Sequence, residues 1–344
     1  MANQMMRAAV LVAPKKFEIQ EVARPECGPG DVLIKVARCC ICGTDVHIFN
    51  GQYSADKLPL IPGHEFSGTI DEVGSAVTGF VVGQKAIADI NVGCGSCFYC
   101  RRNEILNCPS MQQLGIHSNG AFAEYIRVPA RLVIGVPDDM PLDVAALTEP
   151  LACVVRSAMK TDLRFAESVV VLGLGPIGNL HVQLARAIGA APIIAVDLNE
   201  NRAYLARTCG ADVVISDPDA VQDAVLSATD GRGADVVIES VGLPALYASA
   251  FQLVRPGGRI AAFGLTDDTA KVEFSPFDVV LKEIGMKGSV AGMGEDMHQA
   301  MCLLAHDRIN VAPFLKNVRP LTDIQEGITE FISNPELLKV QISM

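Results

Sequence analysis

Cys94, Cys97, Cys100 and Cys108 fall within fifteen residues, in the run GCGSCFYCRRNEILNCP. Thiolates at C-x2-C-x2-C-x7-C spacing can wrap a single tetrahedral zinc ion. Four sulfurs close the coordination sphere, so such a site builds structure and leaves no position for chemistry. Gly93, Gly95 and Pro109 supply the turns a short metal lobe needs.

A second pattern lies downstream. The apolar run Val169–Leu172 leads straight into Gly173-Leu174-Gly175-Pro176-Ile177-Gly178, and helical spacing begins at Pro176. A G-x-G-x-x-G stretch with a strand before it and a helix after it reads as a dinucleotide loop. Gly173 permits the tight turn, Gly175 lets the backbone approach a pyrophosphate, and Gly178 lets helix and strand pack closely. The helix N-terminus offers free N–H groups and a partial positive charge to that pyrophosphate. Asp197 ends the next apolar strand. A carboxylate there accepts hydrogen bonds from both adenosine ribose hydroxyls and repels a 2′-phosphate, so NAD is expected over NADP. Arg202 could reach a phosphate, but no neighbouring Ser or second basic residue builds a pocket for one.

Three more segments carry metal-ligand residue types: Cys39-Cys40-Ile41-Cys42-Gly43-Thr44-Asp45-Val46-His47, Pro62-Gly63-His64-Glu65 and Leu147-Thr148-Glu149-Pro150. Singly, each is ambiguous. Together with the four-cysteine lobe, GLGPIG and its acid, and the intact GHEFSGTI, they make the chain resemble the zinc-dependent branch of the medium-chain dehydrogenase/reductase superfamily. The polyol dehydrogenase group within it is the most similar. CGTDVHIF is also similar to the L-threonine dehydrogenases, close relatives of that group.

The resemblance covers essentially the whole chain and implies a site. Cys42 and His64 match the first two ligands of a catalytic zinc. Glu149 matches the third, where classical alcohol dehydrogenases have a cysteine and polyol and threonine dehydrogenases have Glu-Pro. Cys153, four residues further on, is the rival. Glu65 is implied to approach the zinc from just outside the ligand set and to exchange with water. Asp45 would hold His64, Thr44 would take the alcohol proton, and His47 would pass it through the ribose hydroxyl to solvent. Cys39 and Cys40 have no matching role and read as core residues. One thiolate, one imidazole and one carboxylate leave zinc an open position. There it lowers the pKa of a bound alcohol as it does that of water, from ~16 to ~7, and the alkoxide expels hydride toward the nicotinamide.

These residues need elements to carry them. Residues 1–150 read as short strands joined by Gly/Pro turns, with β-rich runs at Asp31–Ala37, Glu65–Val73 and Gln84–Ile90. The resemblance implies a GroES-like β-barrel there, with the zinc lobe at about 91–110. Across 151–290, six apolar strands alternate with helices, ending in a short helix near Pro276–Lys282 and a strand at Met286–Val290. That is a Rossmann-type, doubly wound, six-stranded parallel sheet. Residues 291–344 end in LLKVQISM, expected to rejoin the first domain as a strand.

The 344 residues are 50% hydrophobic and 19% charged, with a net charge of −11. With no basic block, nucleic acid and anionic membranes are excluded as partners. Eleven cysteines clustered at metal spacing point to a reducing compartment, and no targeting signal is visible, so a cytoplasmic protein is expected.

The leading expectation is a two-zinc, NAD-dependent dehydrogenase that oxidises a secondary alcohol of a polyol. L-threonine 3-dehydrogenase and a simple alcohol or diol dehydrogenase are the alternatives. The threonine reading lacks an evident site for a carboxylate and an ammonium. A non-catalytic NAD-binding protein on this scaffold should have lost Cys42, His64, Glu65 or Glu149, and all are present. Phe49, Tyr53, His117 and Phe122 are candidate pocket residues. A homo-oligomer is expected, tetramer before dimer, joined through the edge strand near Met286–Val290.

Overall fold

The alternating apolar residues of Asp31–Cys40 and Glu65–Val73 pair as antiparallel strands, Cys40 opposite Glu65 and Cys39 opposite Phe66. The register slips at Leu33/Ile34 and at Val36/Arg38. Bulges of this kind bend a strand and increase its twist. Gly68 lies on the bend, where a Cβ would sit 2.2 Å from the Lys35 carbonyl oxygen. The structure, a computed structural model, describes residues 4–344. The reading of a polar, signal-free start rests partly on residues 1–3, outside those described.

The chain divides into two compact units: 1–152 with 292–306 and 311–344, and 153–291 with 307–310. In the first, a sheet runs Val318–Pro320, Gln341–Ser343, Asp31–Cys40, Glu65–Val73, Lys85–Ala88, Val133–Gly135, and Tyr125–Pro129 pairs with Asp31–Cys40 off this path. Its core is aliphatic, with Leu11, Ile34, Ile41, Ile48, Ile70 and Phe122 fully buried. The strand expected at Asp31–Ala37 extends to Cys40 because Gln341–Ser343 pairs with Arg38–Cys40. That partner is built from the far end of the chain.

In the second unit, six parallel strands lie in the order Val213–Ile215, Ile193–Val196, Val169–Leu172, Ala234–Glu239, Val254–Ala262, Gly285–Gly288. Val169–Leu172 is buried along its whole length, as a strand with both faces covered must be. It is flanked by the second and fourth strands, so the strand order reverses beside it. In open α/β sheets, ligands bind at such a point, beyond the carboxyl ends of the strands. The fifth strand begins at Val254 rather than Gly258, because Val254 pairs with Ala234 across a bulge. The edge strand is Gly285–Gly288, one residue ahead of its expected start and shorter than expected. Residues 307–310 interrupt the return to the first unit. Asn310 N donates to Gln183 Oε1 at 2.6 Å, and its carbonyl accepts from Gln183 Nε2 at 3.3 Å. No helix among the described residues is long and apolar enough to cross a membrane.

Candidate metal centres and nucleotide loop

Strand Asp31–Cys40 ends just before Cys42, which stands at the N-terminus of the helix Gly43–Phe49. Asp45, in the first turn, accepts the Cys42 amide through Oδ2 at 2.8 Å. A carboxylate in that place satisfies a donor the helix leaves open and favours the dipole. Its other oxygen, Oδ1, stands 3.4 Å from Nδ1 of His64. His64 immediately precedes the strand Glu65–Val73 and follows Gly63 at φ +94°, where a Cβ would lie 2.9 Å from both Cys39 Sγ and Phe122. Only glycine fits there without displacement.

Ligand atoms of Cys42, His64 and Glu65 lie within 4.8 Å of one another. Nδ1 of His64 is turned toward Asp45, so Nε2 is the ring nitrogen left for a metal. Burial works against the imidazolium, yet Asp45 and the Cys42 sulfur outweigh it and hold the ring well above its usual range. His64 Nδ1, Asp45 Oδ1 and Glu65 Oε2 are buried without a hydrogen-bond partner among the described residues. This donor set fits zinc, with Asp45 orienting the imidazole from behind.

Glu149 lies in the first turn of the helix Thr148–Lys160 and is 7% exposed, but it is not among the three grouped donors. Glu65 is. Its carboxylate also meets Lys339, whose Nζ lies 2.8 Å from Oε1 in hydrogen-bond geometry and 2.7 Å from Oε2 off the hydrogen-bond line. Both side chains are buried, at 3% and 1%. Burial opposes the ammonium, and the Glu65 carboxylate more than restores it. Sequence reasoning missed Lys339; its signal was one basic residue inside the apolar run LLKVQISM.

Thr44 is half-buried and His47 exposed, one turn apart on the helix Gly43–Phe49. His47 Nδ1 lies 3.1 Å from Gln52 Oε1, a contact that suits a hydrogen on Nδ1. Cys39 and Cys40 are fully buried. Cys153 lies in the second unit, on the helix that carries Glu149.

Cys94, Cys97, Cys100 and Cys108 bring their sulfurs within 4.8 Å of one another. Cys94 Sγ and Cys100 Sγ are 3.9 Å apart. Four sulfurs on a tetrahedral zinc at 2.3 Å would be separated by about 3.8 Å. The Cys100 amide donates to Cys97 Sγ at 3.4 Å, and hydrogen bonds from the Ser96 and Cys97 backbone help pull the Cys94 thiol down to about 6. All eleven cysteines are free thiols.

In the second unit, Gly173 has φ +90°, and a Cβ on it would strike Val241 at 2.1 Å. A Cβ on Gly178 would lie 1.8 Å from the Gly173 carbonyl oxygen. Gly175 caps the helix Pro176–Ile188, with Pro176 at its first position and Pro176 and Ile177 half-buried. Asp197 is aimed by two amides: Leu174 N donates to Oδ2 at 2.7 Å and Asn199 N to Oδ1 at 2.8 Å. Arg202 lies 3.9 Å from Asp197 Oδ2 and 3.7 Å from where a Gly175 Cβ would stand. It sits between the acid and the loop backbone.

Two expected pocket residues are core instead. Phe49 and Phe122 are 5% and 0% exposed, and Phe17 stacks on the first at 5.8 Å and meets the second edge-on at 6.5 Å. Large apolar rings beside the barrel sheet gain more from the interior than from a wet cleft. Tyr53 and His117 form an edge-to-face pair 6.0 Å apart, Tyr53 being 41% exposed. The loop that carries His117 is fastened to the histidine segment. Ala121 N donates to the Gly63 carbonyl at 2.8 Å, and Gly120 N to that of Ile61 at 2.7 Å.

Residues 28–138 match the alcohol dehydrogenase GroES-like domain, and residues 176–306 match the zinc-binding dehydrogenase domain. An L-threonine 3-dehydrogenase of Chelativorans is 34% identical over 94% of this chain and 95% of its own. One of Bacillus velezensis is 35% identical over 90% of both. Among solved structures, a zinc-binding dehydrogenase of Sinorhizobium meliloti bound to NADP superposes with a TM-score of 0.92 at 32% identity, over 99% of this chain and all of that one. The 2R,3R-butanediol dehydrogenase of Bacillus subtilis does so with a TM-score of 0.87 at 28% identity, over 98% of this chain and 99% of that one.

Proposed function

This chain belongs to the zinc-dependent medium-chain dehydrogenase/reductase family, oxidoreductases acting on CH–OH groups, and we propose that its substrate is L-threonine, oxidised at the 3-hydroxyl with NAD as acceptor. The expectation of a polyol ranked first on sequence alone; the relatives named above support its alternative better. The observation that carries the dehydrogenase reading is the group of Cys42, His64 and Glu65 donors, with a nucleotide loop in the same chain.

Cys42 and His64 hold the catalytic metal, with Glu149 as the third ligand and Glu65 in attendance. Cys94, Cys97, Cys100 and Cys108 hold a second, structural zinc. A zinc held there would supply Lewis acidity to lower the pKa of the substrate hydroxyl, and a bound NAD would supply the hydride acceptor. Asp45, beside Nδ1 of His64, would keep the ring's hydrogen there and leave Nε2 for a metal. Thr44 accepts the hydroxyl proton and His47, one turn closer to solvent, passes it out; the Gln52 contact suits a hydrogen on Nδ1, which would leave Nε2 able to receive it. Gly173, Gly175, Pro176, Ile177 and Gly178 cradle the pyrophosphate, and Asp197 holds the ribose and favours NAD, with Arg202 beside it.

The protein acts as a homo-oligomer. The sheet edge Gly285–Gly288 is accompanied by Phe277, Val280, Leu281 and Val290, each at least 65% exposed. Apolar surface beside an open strand favours a second copy.

The test is the absorbance of reduced nicotinamide with L-threonine, sorbitol, 2,3-butanediol and simple secondary alcohols. Turnover of L-threonine at a kcat/KM at least tenfold above the others is expected. A polyol or diol preferred by that margin would overturn the substrate and keep the family chemistry.

A further inference from the structure

Two facts about Glu65 stand apart from the reading above. Its carboxylate shares a 4.8 Å cluster with the donors of Cys42 and His64. The same carboxylate is gripped by a buried ammonium, Lys339 Nζ, 2.8 Å from one oxygen and 2.7 Å from the other. Lys339 is fixed from several sides. Its Nζ lies 3.4 Å from the Ile41 carbonyl, the residue before Cys42. The Ile41 amide donates to the carbonyl of Val340 at 2.9 Å. The strand that follows, Gln341–Ser343, places Gln341 opposite Cys40, which in turn stands opposite Glu65. The backbone that carries the lysine is therefore joined to the sheet that carries the site, and its ammonium is buried against Glu65.

A bare carboxylate within reach of a divalent ion will bind it. Near a cysteine thiolate and a further glutamate, it would fill the position a substrate oxygen needs. A carboxylate already paired with an ammonium has its charge offset and one oxygen committed. We propose that Lys339 is a positioning residue that tethers Glu65 just outside the metal's ligand set, so that Glu65 waits as a reserve ligand and the substrate position stays open. This rests on Cys42 and His64 binding metal.

Cobalt substitution tests it, because the visible bands of Co(II) report coordination number and ligand type. Wild type, Glu65→Gln, Lys339→Met, Lys339→Arg and the double variant Lys339→Met/Glu65→Gln would each be loaded with Co(II). Their spectra and rates of metal loss to a chelator would then be compared. Wild type, Glu65→Gln and Lys339→Arg should share one spectrum. Lys339→Met should differ, lose the cobalt of this site at least tenfold more slowly, and show a lower kcat with a smaller change in KM. The double variant should regain the wild-type spectrum, because the carboxylate that moved in is gone. Lys339→Met leaves a buried charge unpaired and can fail to fold. The comparison of wild type with Glu65→Gln then decides: a changed spectrum means that Glu65 is already a ligand, and the tether is refuted. A Lys339→Met protein that folds with the parent spectrum and the parent rate of metal loss refutes it equally. Uptake of only one cobalt per chain, at the four cysteines, would instead defeat the assignment of the catalytic metal itself, and this inference with it.

Discussion

Asp45 Oδ1 stands 3.4 Å from His64 Nδ1 while its other oxygen holds the amide of Cys42 at 2.8 Å. One buried carboxylate therefore holds both Cys42 and His64, the two residues whose donors group with Glu65. Asp45→Ala should lower metal affinity at this site by about 10–100-fold and spare the four-cysteine site. Zinc per chain after dialysis against a weak chelator should fall from two toward one. Two zincs retained at parental affinity would show that the contact orients nothing.

Cys100→Ser and Glu149→Ala should act oppositely. The first removes a sulfur from the lobe, which has little apolar interior to fall back on. Protease should then cut within 91–110 much faster than in the parent. Glu149→Ala should leave that resistance unchanged and lower kcat by more than about tenfold. Full turnover without Glu149 would favour Glu65 or Cys153 as the third ligand.

Cofactor choice should follow Asp197. Each of its oxygens already takes one amide hydrogen and has a lone pair left for a ribose hydroxyl. Hydrogen bonds to a charged group are worth about 1.5–3 kcal/mol, so Asp197→Ser should raise KM for NAD by about tenfold or more. NADP should be the poorer cofactor for the parent, and the gap should close in the variant. A parent that works better with NADP would mean that Arg202 outweighs the acid.

Acid sensitivity should come in part from His181. It is 2% exposed, meets Phe263 edge-on at 5.0 Å, and burial alone pushes it down to about 3. Above its ordinary pKa of 6.5 the ring is neutral folded or unfolded and contributes no pH dependence. Below it, the unfolded chain takes a proton that the folded chain refuses until about pH 3. Stability therefore drops as pH falls through that window, by up to about 1.4 kcal/mol per pH unit. His181→Leu should flatten this loss, removing about 2 kcal/mol of the fall between pH 6.5 and 5. Urea titrations of parent and variant at the two pH values check it; parallel losses would place the sensitivity elsewhere.

Light scattering should find no 36.5 kDa species at micromolar concentration. Phe277→Asp with Leu281→Asp, on the short helix beside the edge strand, should shift the protein toward that mass. A parent that is already monomeric would rule the assembly out.

The nucleotide unit was legible because its signals are local. A glycine forced to φ +90° between a buried strand and a helix announces itself within ten residues, and so does the acid that follows. The cysteine lobe is legible for the same reason. Lys339 was not, because a lysine in an apolar run gains meaning only from a partner 274 residues away. Phe49 and Phe122 misled because proximity to the ligand residues along the chain does not say which way a ring points. Only Phe17, on a strand that neither of them belongs to, reveals that they face inward.

The distance between Glu65 and Lys339 also has a meaning in time. During synthesis, Glu65 leaves the ribosome 274 residues before the lysine that holds it, and Cys42 and His64 leave earlier still. At ordinary elongation rates the interval is on the order of ten to fifty seconds. Throughout it, the nascent barrel lacks both the strand that pairs with Cys40 and the cation that restrains the carboxylate. A product broken off in that interval presents an acidic cluster with no counter-charge and an open strand edge beside it. Such a fragment lacks the strand that pairs with Arg38–Cys40, so the N–H and C=O groups of that edge stay unpaired.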